Sequence, residues 1–318
     1  MGFIAINSWL SGHGDVEVKR MLSADNLYKG DDLYVELEIT NKALRRTQQL
    51  EIFDNIPHEM KLRSGLNSMR VNLGPGETTR IRYVLRCPLR GHFSLGPVSL
   101  RFHNSFNLFT DEMYIDHHSD IIIFPQIKDV EEAFVRSRTP KMYTGATTLP
   151  TPGPGTEFYS LREYVPGDPF KNINWKAFAR TGDLMVNEKC RDAVTDVFIL
   201  LDSRDVSRIG TVLKNPLEMG TVAAASLASY FIQRRDSVAL AVYDDRLSYL
   251  PADGGDKQYF KILSSLAGVA PKGNMPLQAV TNALSSRFSR GSPVFIISSL
   301  EGDGTVPHAV RDLSGRNH

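Results

Sequence analysis

The stretch Thr195-Asp196-Val197-Phe198-Ile199-Leu200-Leu201-Asp202 decides how the C-terminal half of this chain reads. Val197 to Leu201 are apolar without alternation, the pattern of a central parallel strand buried on both faces. An aspartate closes the run, at the strand end where open α/β sheets bind ligands. Downstream, Asn215 followed by Pro216 is an N-cap with proline at the first helical position, so a helix is predicted over 216–235. Its small residues Gly220, Ala223, Ala224, Ala225 and Ala228 permit close packing on a sheet. Further strands are predicted at 238–243 and 293–298, a returning edge strand at 246–250, and helices at 258–266 and 277–288. A last helix covers 306–313, with Gly315 as its C′ cap. This alternation predicts a doubly wound α/β domain over 195–318. It is expected to be incomplete, because such domains ordinarily continue with further strands.

Working back toward the N-terminus, the period changes to two. Val16-Glu17-Val18-Lys19 and Leu33-Tyr34-Val35-Glu36-Leu37-Glu38-Ile39 alternate, and further runs lie at 49–53, 68–73, 78–85, 93–102 and 120–124. Asn67, Gly74-Pro75-Gly76 and Gly91 supply turn chemistry between them. Residues 15–126 are therefore read as an antiparallel immunoglobulin-like β-sandwich, without the Cys…Trp…Cys pin of antibody domains. The chain as a whole is a multidomain β plus α/β protein, with a connector over 127–194. Within that connector 129–136 reads as a short helix. Thr147-Thr148-Leu149-Pro150-Thr151-Pro152-Gly153-Pro154-Gly155 is expected to hold no regular structure, since its prolines remove amide donors.

Composition narrows the function classes. In 318 residues, 37 Lys and Arg against 36 Asp and Glu leave a net charge of +1. That balance argues against an electrostatic nucleic-acid binder. Apolar residues at 42% and charged residues at 23% are those of a soluble globular chain. Cys87 and Cys190 form neither a CxxC pair nor a disulfide framework, which points to a reducing, cytoplasmic compartment. The apolar run Gly2-Phe3-Ile4-Ala5-Ile6 is far short of the roughly 20 residues of a spanning helix. Residues 1–14 are compatible with the tail of an N-terminal anchor, and so with membrane association of a longer chain.

The densest segment is Gly155-Thr156-Glu157-Phe158-Tyr159-Ser160-Leu161-Arg162-Glu163-Tyr164-Val165-Pro166-Gly167-Asp168, followed by Ile173-Asn174-Trp175-Lys176-Ala177-Phe178-Ala179-Arg180-Thr181. Tyr, Trp and Arg together are the composition of binding hot spots. A domain junction explains the segment equally well, with Arg162 and Arg180 paired to Glu157 and Asp168 and Trp175 filling a core gap.

The same segment closely resembles the signature of domain-of-unknown-function family 58 (DUF58). Matching positions are Gly155, Glu157, Phe158, Leu161, Arg162, Tyr164, Gly167, Asp168, Ile173, Trp175, Lys176, Ala179, Arg180 and Thr181, with Glu188 beyond them. Arg90-Gly91-His92-Phe93-Ser94-Leu95-Gly96-Pro97-Val98 and Phe106-Asn107-Leu108-Phe109 are similar to that family's upstream repeat. Asn104-Ser105 and Asn107 depart from it. The resemblance implies a β-sandwich, then the signature, then a von Willebrand factor A-like domain. It also implies association with MoxR-type AAA+ ATPases, thought to remodel proteins in a chaperone-like way, and N-terminal membrane helices in many members.

An A-type domain often carries a metal-ion-dependent adhesion site: Asp-x-Ser-x-Ser, a Thr from a second loop and an Asp from a third, holding Mg²⁺ through oxygen ligands. Here Asp202-Ser203-Arg204-Asp205-Val206-Ser207 places Arg204 and Val206 at the serine positions. Gly273-Asn274-Met275-Pro276 has no threonine, and Ser298-Ser299-Leu300-Glu301 has Ser299 where the aspartate belongs. A guanidinium about 4 Å from a cation is repelled by several kcal/mol at a surface-type dielectric. No bound Mg²⁺ or other cofactor is therefore expected, Asp202 being the one candidate ligand. Arg204 is expected to stand in for the ion and to receive a partner's carboxylate directly. Asp202, Arg204, Asp205, Ser207, Asn274, Ser299 and Glu301, on the loop tips at 202–207, 273–275 and 299–302, form the expected partner-binding set.

No GxSxG elbow, HExxH helix or Walker A loop is present, and His117-His118 reads as a solvated turn. The expected function is a non-enzymatic protein-binding adaptor working with a MoxR-type ATPase. One alternative is a hydrolase using Glu157 and Asp168 as acid and base or nucleophile. Another is an adhesion-type binding module, disfavoured by the unpaired cysteines.

Overall fold

The alternating segments of the N-terminal half fold as strands whose apolar sides meet in one core. The computed structural model describes residues 16–44, 46–103, 110–130, 147–152, 158–193, 195–289 and 291–315. The chain divides into two units, Met1–Gln126 and Ile127–His318. The first contains β1 (Val16–Leu22), β2 (Asn26–Tyr28), β3 (Asp32–Asn41), β4 (Thr47–Asp54), β5 (Lys61–Gly65) and β6 (Ser68–Leu73). It continues with β7 (Thr78–Arg86), β8 (Gly91–Leu95), β9 (Val98–His103), β10 (Thr110–Ile115) and β11 (Ser119–Phe124). They form sheets in the orders β1-β3-β7-β5, β10-β9-β4-β6 and β2-β11-β8. All pairings are antiparallel except that of β11 with β2.

Period two decides which side chains go inside. Leu33, Val35, Leu37 and Ile39 of β3 join Leu50 and Ile52 of β4, Leu85 of β7 and Leu100 of β9 in a single buried cluster. On the outer face of β3, Glu36 and Glu38 lie opposite Arg82 and Arg80, at 2.8 and 2.9 Å. Sheets enclosing a common core in this way are compatible with the expected β-sandwich. The predicted run 93–102 is two strands, β8 and β9, because Gly96 takes φ +111° and Pro97 follows it.

One polar group pins this core. Arg20 donates from Nε and Nη2 to Asp54 at 3.1 and 2.5 Å, and both side chains are fully buried. Its Nη1 reaches the carbonyls of Leu95 and His117 and the Ser119 hydroxyl, and Tyr83 donates its hydroxyl to Asp54 at 2.6 Å. Every polar atom of the guanidinium is thereby engaged, which is the condition for burying one.

The second unit opens with β12 (Thr147–Pro152), β13 (Phe158–Glu163), α1 (Trp175–Thr181) and β14 (Met185–Ala193), the strands forming an antiparallel sheet β12-β14-β13. The expectation that 147–155 holds no regular structure fails over 147–152, which form a strand, while 153–155 lie outside the described residues. β12 is an edge strand with a register shift between Leu149 and Pro152, the two settings in which a strand tolerates proline. Most of the helix expected at 129–136 lies outside the described residues.

There follow β15 (Asp196–Asp202), α2 (Pro216–Gln233), β16 (Ser237–Tyr243), β17 (Leu247–Asp253), α3 (Gly255–Ala267), α4 (Leu277–Leu284), β18 (Val294–Ile297) and α5 (Val306–Gly315). Their sheet has the order β17-β16-β15-β18. β15 runs parallel to β16 and β18, while β17 returns antiparallel at the edge. All seven residues of β15 are buried. Asn215 caps α2 by accepting from the Glu218 amide at 2.8 Å, and Arg235 at φ +65° stops the helix short of the predicted end. Gly220 lets α2 approach: a Cβ there would meet Leu201 at 2.9 Å and Ile297 at 3.3 Å. The other face of the sheet packs Phe198, Leu200, Ala239 and Ala241 against Leu277, Val280 and Leu284 of α4 and Ala309 and Leu313 of α5. No helix among the described residues is long and apolar enough to cross a membrane.

Candidate functional site

Parallel strands release their chains at one edge, so the loops following β15, β16 and β18 converge there. Asp202, the last residue of β15, is buried, and the chain turns so that Arg204 folds back onto it. Arg204 donates from its backbone N and Nε to Asp202 Oδ1 at 3.0 and 2.9 Å, and from Nη2 to Oδ2 at 2.7 Å. Its remaining arm, Nη1, reaches Asp303 Oδ2 at 3.1 Å, 99 residues further along the chain. Ser298, just past β18, donates its hydroxyl to Asp202 Oδ2 at 2.6 Å. Asp303 also accepts from the Leu277 amide at 2.8 Å and from the Thr305 amide and hydroxyl at 2.9 and 2.6 Å. The Tyr243 ring, at the end of β16, lies 5.7 Å beneath the guanidinium.

Burial alone would raise the carboxyls of Asp202 and Asp303. Hydrogen bonds from Arg204 and Ser298 hold Asp202 below its ordinary value, and Thr305 and the Leu277 amide do the same for Asp303. The Arg204 guanidinium is held charged, chiefly by its hydrogen bonds to Asp202. Burial, and then the Asp202 charge, push the Tyr243 hydroxyl up.

Arg204 is only 1% exposed, so it does not receive a partner's carboxylate. The reason is that its fork is already filled by Asp202 and Asp303. Asp202 and Ser207 are buried too, and the Ser207 hydroxyl points at the Asp202 carbonyl at 3.4 Å. The expected partner-binding set is therefore not one exposed surface. Asp205, Asn274 and Glu301 stand in solvent, Asp205 pairing with Arg208 at 3.3 Å. The Ser299 hydroxyl is enclosed with no hydrogen-bond partner among the described residues. Sequence reasoning missed Asp303, whose signal was its place two residues before Thr305, at the start of α5.

These residues do not fit a divalent ion. The space between the two carboxylates is filled by a guanidinium, and among the described residues no group of three His, Cys, Asp or Glu could hold a metal.

The edge also exposes apolar side chains. Between the short turn 205–208 and α2, Thr211 and Lys214 bond each other's backbones at 2.9 and 3.1 Å, and Asn215 Nδ2 donates to the Thr211 carbonyl at 3.0 Å. Gly210 takes φ +121°, and a Cβ there would run into the Lys214 carbonyl. This hydrogen-bonded turn displays Val212 and Leu213 at its tip, 70% and 52% exposed, flanked by Ile209 and Met219 at 63% and 72%.

The signature segment builds a second cluster. Arg162 grips Asp168 with two hydrogen bonds of 2.6 and 2.7 Å and reaches Glu188 of β14 at 2.9 Å. Ser160 donates to the other Glu188 oxygen at 2.7 Å, and the Val165 amide donates to Asp168 at 2.9 Å. Gly167 at φ +113° closes the loop between them. Hydrogen bonds from Arg162, then from the Val165 amide, hold the Asp168 carboxyl at about 2. It is thus an ionised clamp residue at neutral pH and not a proton donor. Gly155 and Glu157 lie outside the described residues.

Trp175 does not fill a core gap: it is 59% exposed, edge-on to Phe178 with ring centroids 6.2 Å apart. It opens α1, whose cap Asn174 accepts from the Ala177 amide, so its side chain leaves the first turn. Phe158, Leu161, Lys176, Arg180 and Thr181 also stand in solvent, and Tyr164 stacks on the exposed Phe170.

No curated protein matches the chain. A FixG-related protein from Vibrio parahaemolyticus is 14% identical over 34% of this chain and 95% of its own, with a TM-score of 0.23. The CARDB domain of the PF1109 protein from Pyrococcus furiosus is 11% identical over 35% and 93%, at 0.25. Alpha-2-macroglobulin from Escherichia coli, from domain MG7 to the C-terminus, is 18% identical over 36% of this chain and 17% of its own, at 0.29. At such TM-scores none of these fixes a fold. The family model described as "Protein of unknown function DUF58" matches residues 160–318, half of the chain, and spans both clusters. The chain belongs to the DUF58 family.

Proposed function

We propose that this protein is a non-enzymatic adaptor whose α/β part is a von Willebrand factor A-like domain, following an immunoglobulin-like sandwich. It docks another protein at the carboxyl edge of its sheet, and works in the cytoplasm with a MoxR-type AAA+ ATPase. The observation that carries the docking site is the hydrogen-bonded turn at 209–215, which holds Ile209, Val212 and Leu213 in solvent. Apolar side chains fixed in water at a ligand-binding edge are the composition of an interaction anchor. The partner's identity rests on the family resemblance alone.

The test is a pull-down of the MoxR-type ATPase of the same organism with the full chain, with and without Mg²⁺ and ATP. Val212→Asp/Leu213→Asp and Trp175→Ala run alongside. Retention by the wild type, lost at least tenfold in the double variant and kept in Trp175→Ala, supports docking at the turn. Retention lost only in Trp175→Ala moves the site to the signature segment. No retention in any condition removes this partner.

A further inference from the structure

We propose that the signature segment carries a second docking surface, built from other residues than the turn at 209–215, and that it lies against an anionic lipid bilayer. The inference does not depend on what binds the turn. It starts from how little the segment hides: between residues 158 and 188 only Ile173 and Val186 are buried. Val165, in the loop after β13, and Phe170, opening the short turn Phe170–Asn172, are 58% and 73% exposed. The exposed Trp175 follows them as the first residue of α1.

The charge beside these side chains is of one sign. From Pro169 to Gly182 the chain has Lys171, Lys176 and Arg180 and no carboxylate. All three are exposed, and their side chains form no ion pair among the described residues. Asp168, just before this stretch, is gripped by Arg162, so its charge is not presented beside Phe170. The exposed Glu163 and Asp183 lie outside the stretch. Half-buried Ala177 marks the inner side of α1. Trp175 and Phe178, three apart, therefore share one flank of its outer side, and Lys176 and Arg180, four apart, share the other. Like charges four apart cost a helix stability, so α1 itself does not account for the pair.

The kind of surface follows from how rings and cations are coupled. Each protruding ring is followed directly by a lysine, as Phe170-Lys171 and Trp175-Lys176. At a bilayer surface Trp sits at headgroup level, while Lys and Arg lay their stems on apolar material and keep their charge among the phosphates. A protein interface is the poorer fit, because lysine is depleted there. A second copy of the chain is poorer still, since a two-fold contact through this face sets three cations against three.

The experiment is co-sedimentation of the full chain with vesicles of phosphatidylcholine, alone or with about 30% phosphatidylglycerol. It is run at about 0.1 M and 1 M NaCl, between which the Debye length falls from about 10 to 3 Å. Each Lys or Arg near an anionic surface strengthens binding roughly fivefold, so Lys171→Gln/Lys176→Gln/Arg180→Gln should weaken binding to the anionic vesicles roughly 100-fold. Omitting phosphatidylglycerol or raising the salt should weaken it in the same direction. Phe170→Ser/Trp175→Ser should weaken it at least about tenfold, and Val212→Ser/Leu213→Ser should leave it unchanged. All the replaced side chains are exposed, so each variant should keep the wild-type Tm. Trp9→Phe leaves Trp175 as the single tryptophan, whose emission should shift to the blue on anionic vesicles and be quenched by lipid brominated on its acyl chains. Vesicle binding that survives both variants of the segment overturns the proposal, because another part of the chain then carries it. Absence of binding to either vesicle overturns it too. So does a Trp175 shift produced by soluble polyglutamate and not by vesicles, which would make the face a site for acidic protein.

Discussion

Replacing Asp54 by Asn is expected to cost the N-terminal unit about 3–5 kcal/mol. The change keeps the side-chain volume and removes one negative charge. Arg20 then loses the counter-ion for a guanidinium whose side chain is fully buried, with both Asp54 contacts converted or lost. Tyr83 faces the same atom, and burial together with the Asp54 charge keeps its hydroxyl protonated as a donor. The Leu95 and His117 carbonyls and Ser119 still hold Nη1, so the cation cannot swing out to water without leaving them unpaired. For the same reason, replacing Arg20 and Asp54 together by apolar residues is not expected to restore stability, because those carbonyls would remain buried and unsatisfied.

The assay is urea denaturation of the full chain, followed by hydrogen exchange at the amides of β3 and β4. At an m of about 2 kcal/mol/M, the loss appears as a midpoint lower by about 1.5–2.5 M. The control is Glu38→Gln, which breaks a pair whose Arg80 is 54% exposed and should change stability by less than about 1 kcal/mol. An Asp54→Asn variant that loses no more than this control would refute the reasoning, since it would mean that water reaches the pair.

Gly220→Ala gains about 1 kcal/mol of helix propensity but places a Cβ 2.9 Å from Leu201, which is fully buried and cannot retreat, at an overpacking cost of about 1–3 kcal/mol. The expected outcome is a lower Tm, and a higher one would show that α2 can lift off the sheet. Asp168 is held at about 2, below its ordinary 3.8. Its stabilising contribution is therefore present above pH 3.8 and is lost as pH falls toward 2, so Asp168→Asn should flatten the Tm profile in that window. Burial, and then the Asp31 charge, push the Cys87 thiol up to about 11. Iodoacetamide at pH 8, with Cys87 followed by peptide mass spectrometry, should label it only as fast as the unit opens.

What the sequence exposes about this fold is periodicity, and what it hides is pairing. Leu33 to Ile39, Val197 to Leu201 and the Asn215-Pro216 start of α2 are local patterns, and each appears where it was read. Gly220 was legible for the same reason, since a small residue on a helix facing a sheet has one use. The proline-bearing strand β12 was not, because edge position and register shift are properties of its partner β14 and not of its own residues. Arg20 with Asp54, and Arg204 with Asp303, were also invisible, lying 34 and 99 residues apart. The domain-junction alternative put Trp175 in a core gap, which depends on the placement of α1 and not on composition, and Trp175 stands 59% exposed.

At the carboxyl edge of the sheet a closed polar interior adjoins exposed apolar side chains, and under the proposed docking the first would prepare the second. A loop that must order on binding pays roughly 1–2 kcal/mol per residue of backbone entropy, which for a turn of this length would cancel what a few apolar contacts return. Here ordering is completed on folding. Arg204 ties the start of the loop to Asp202 and Asp303, Gly273 accepts from the Asp205 amide at 3.0 Å, and Thr211 and Lys214 close the tip. The backbone carrying Val212 and Leu213 is thus hydrogen-bonded before any partner arrives, which lowers the ordering cost that offsets apolar burial, worth about 25 cal/mol per Å² before the other costs of association. Docking at this turn, as proposed, would require neither a metal ion nor a long-range field, and the chain's net charge of +1 supplies none.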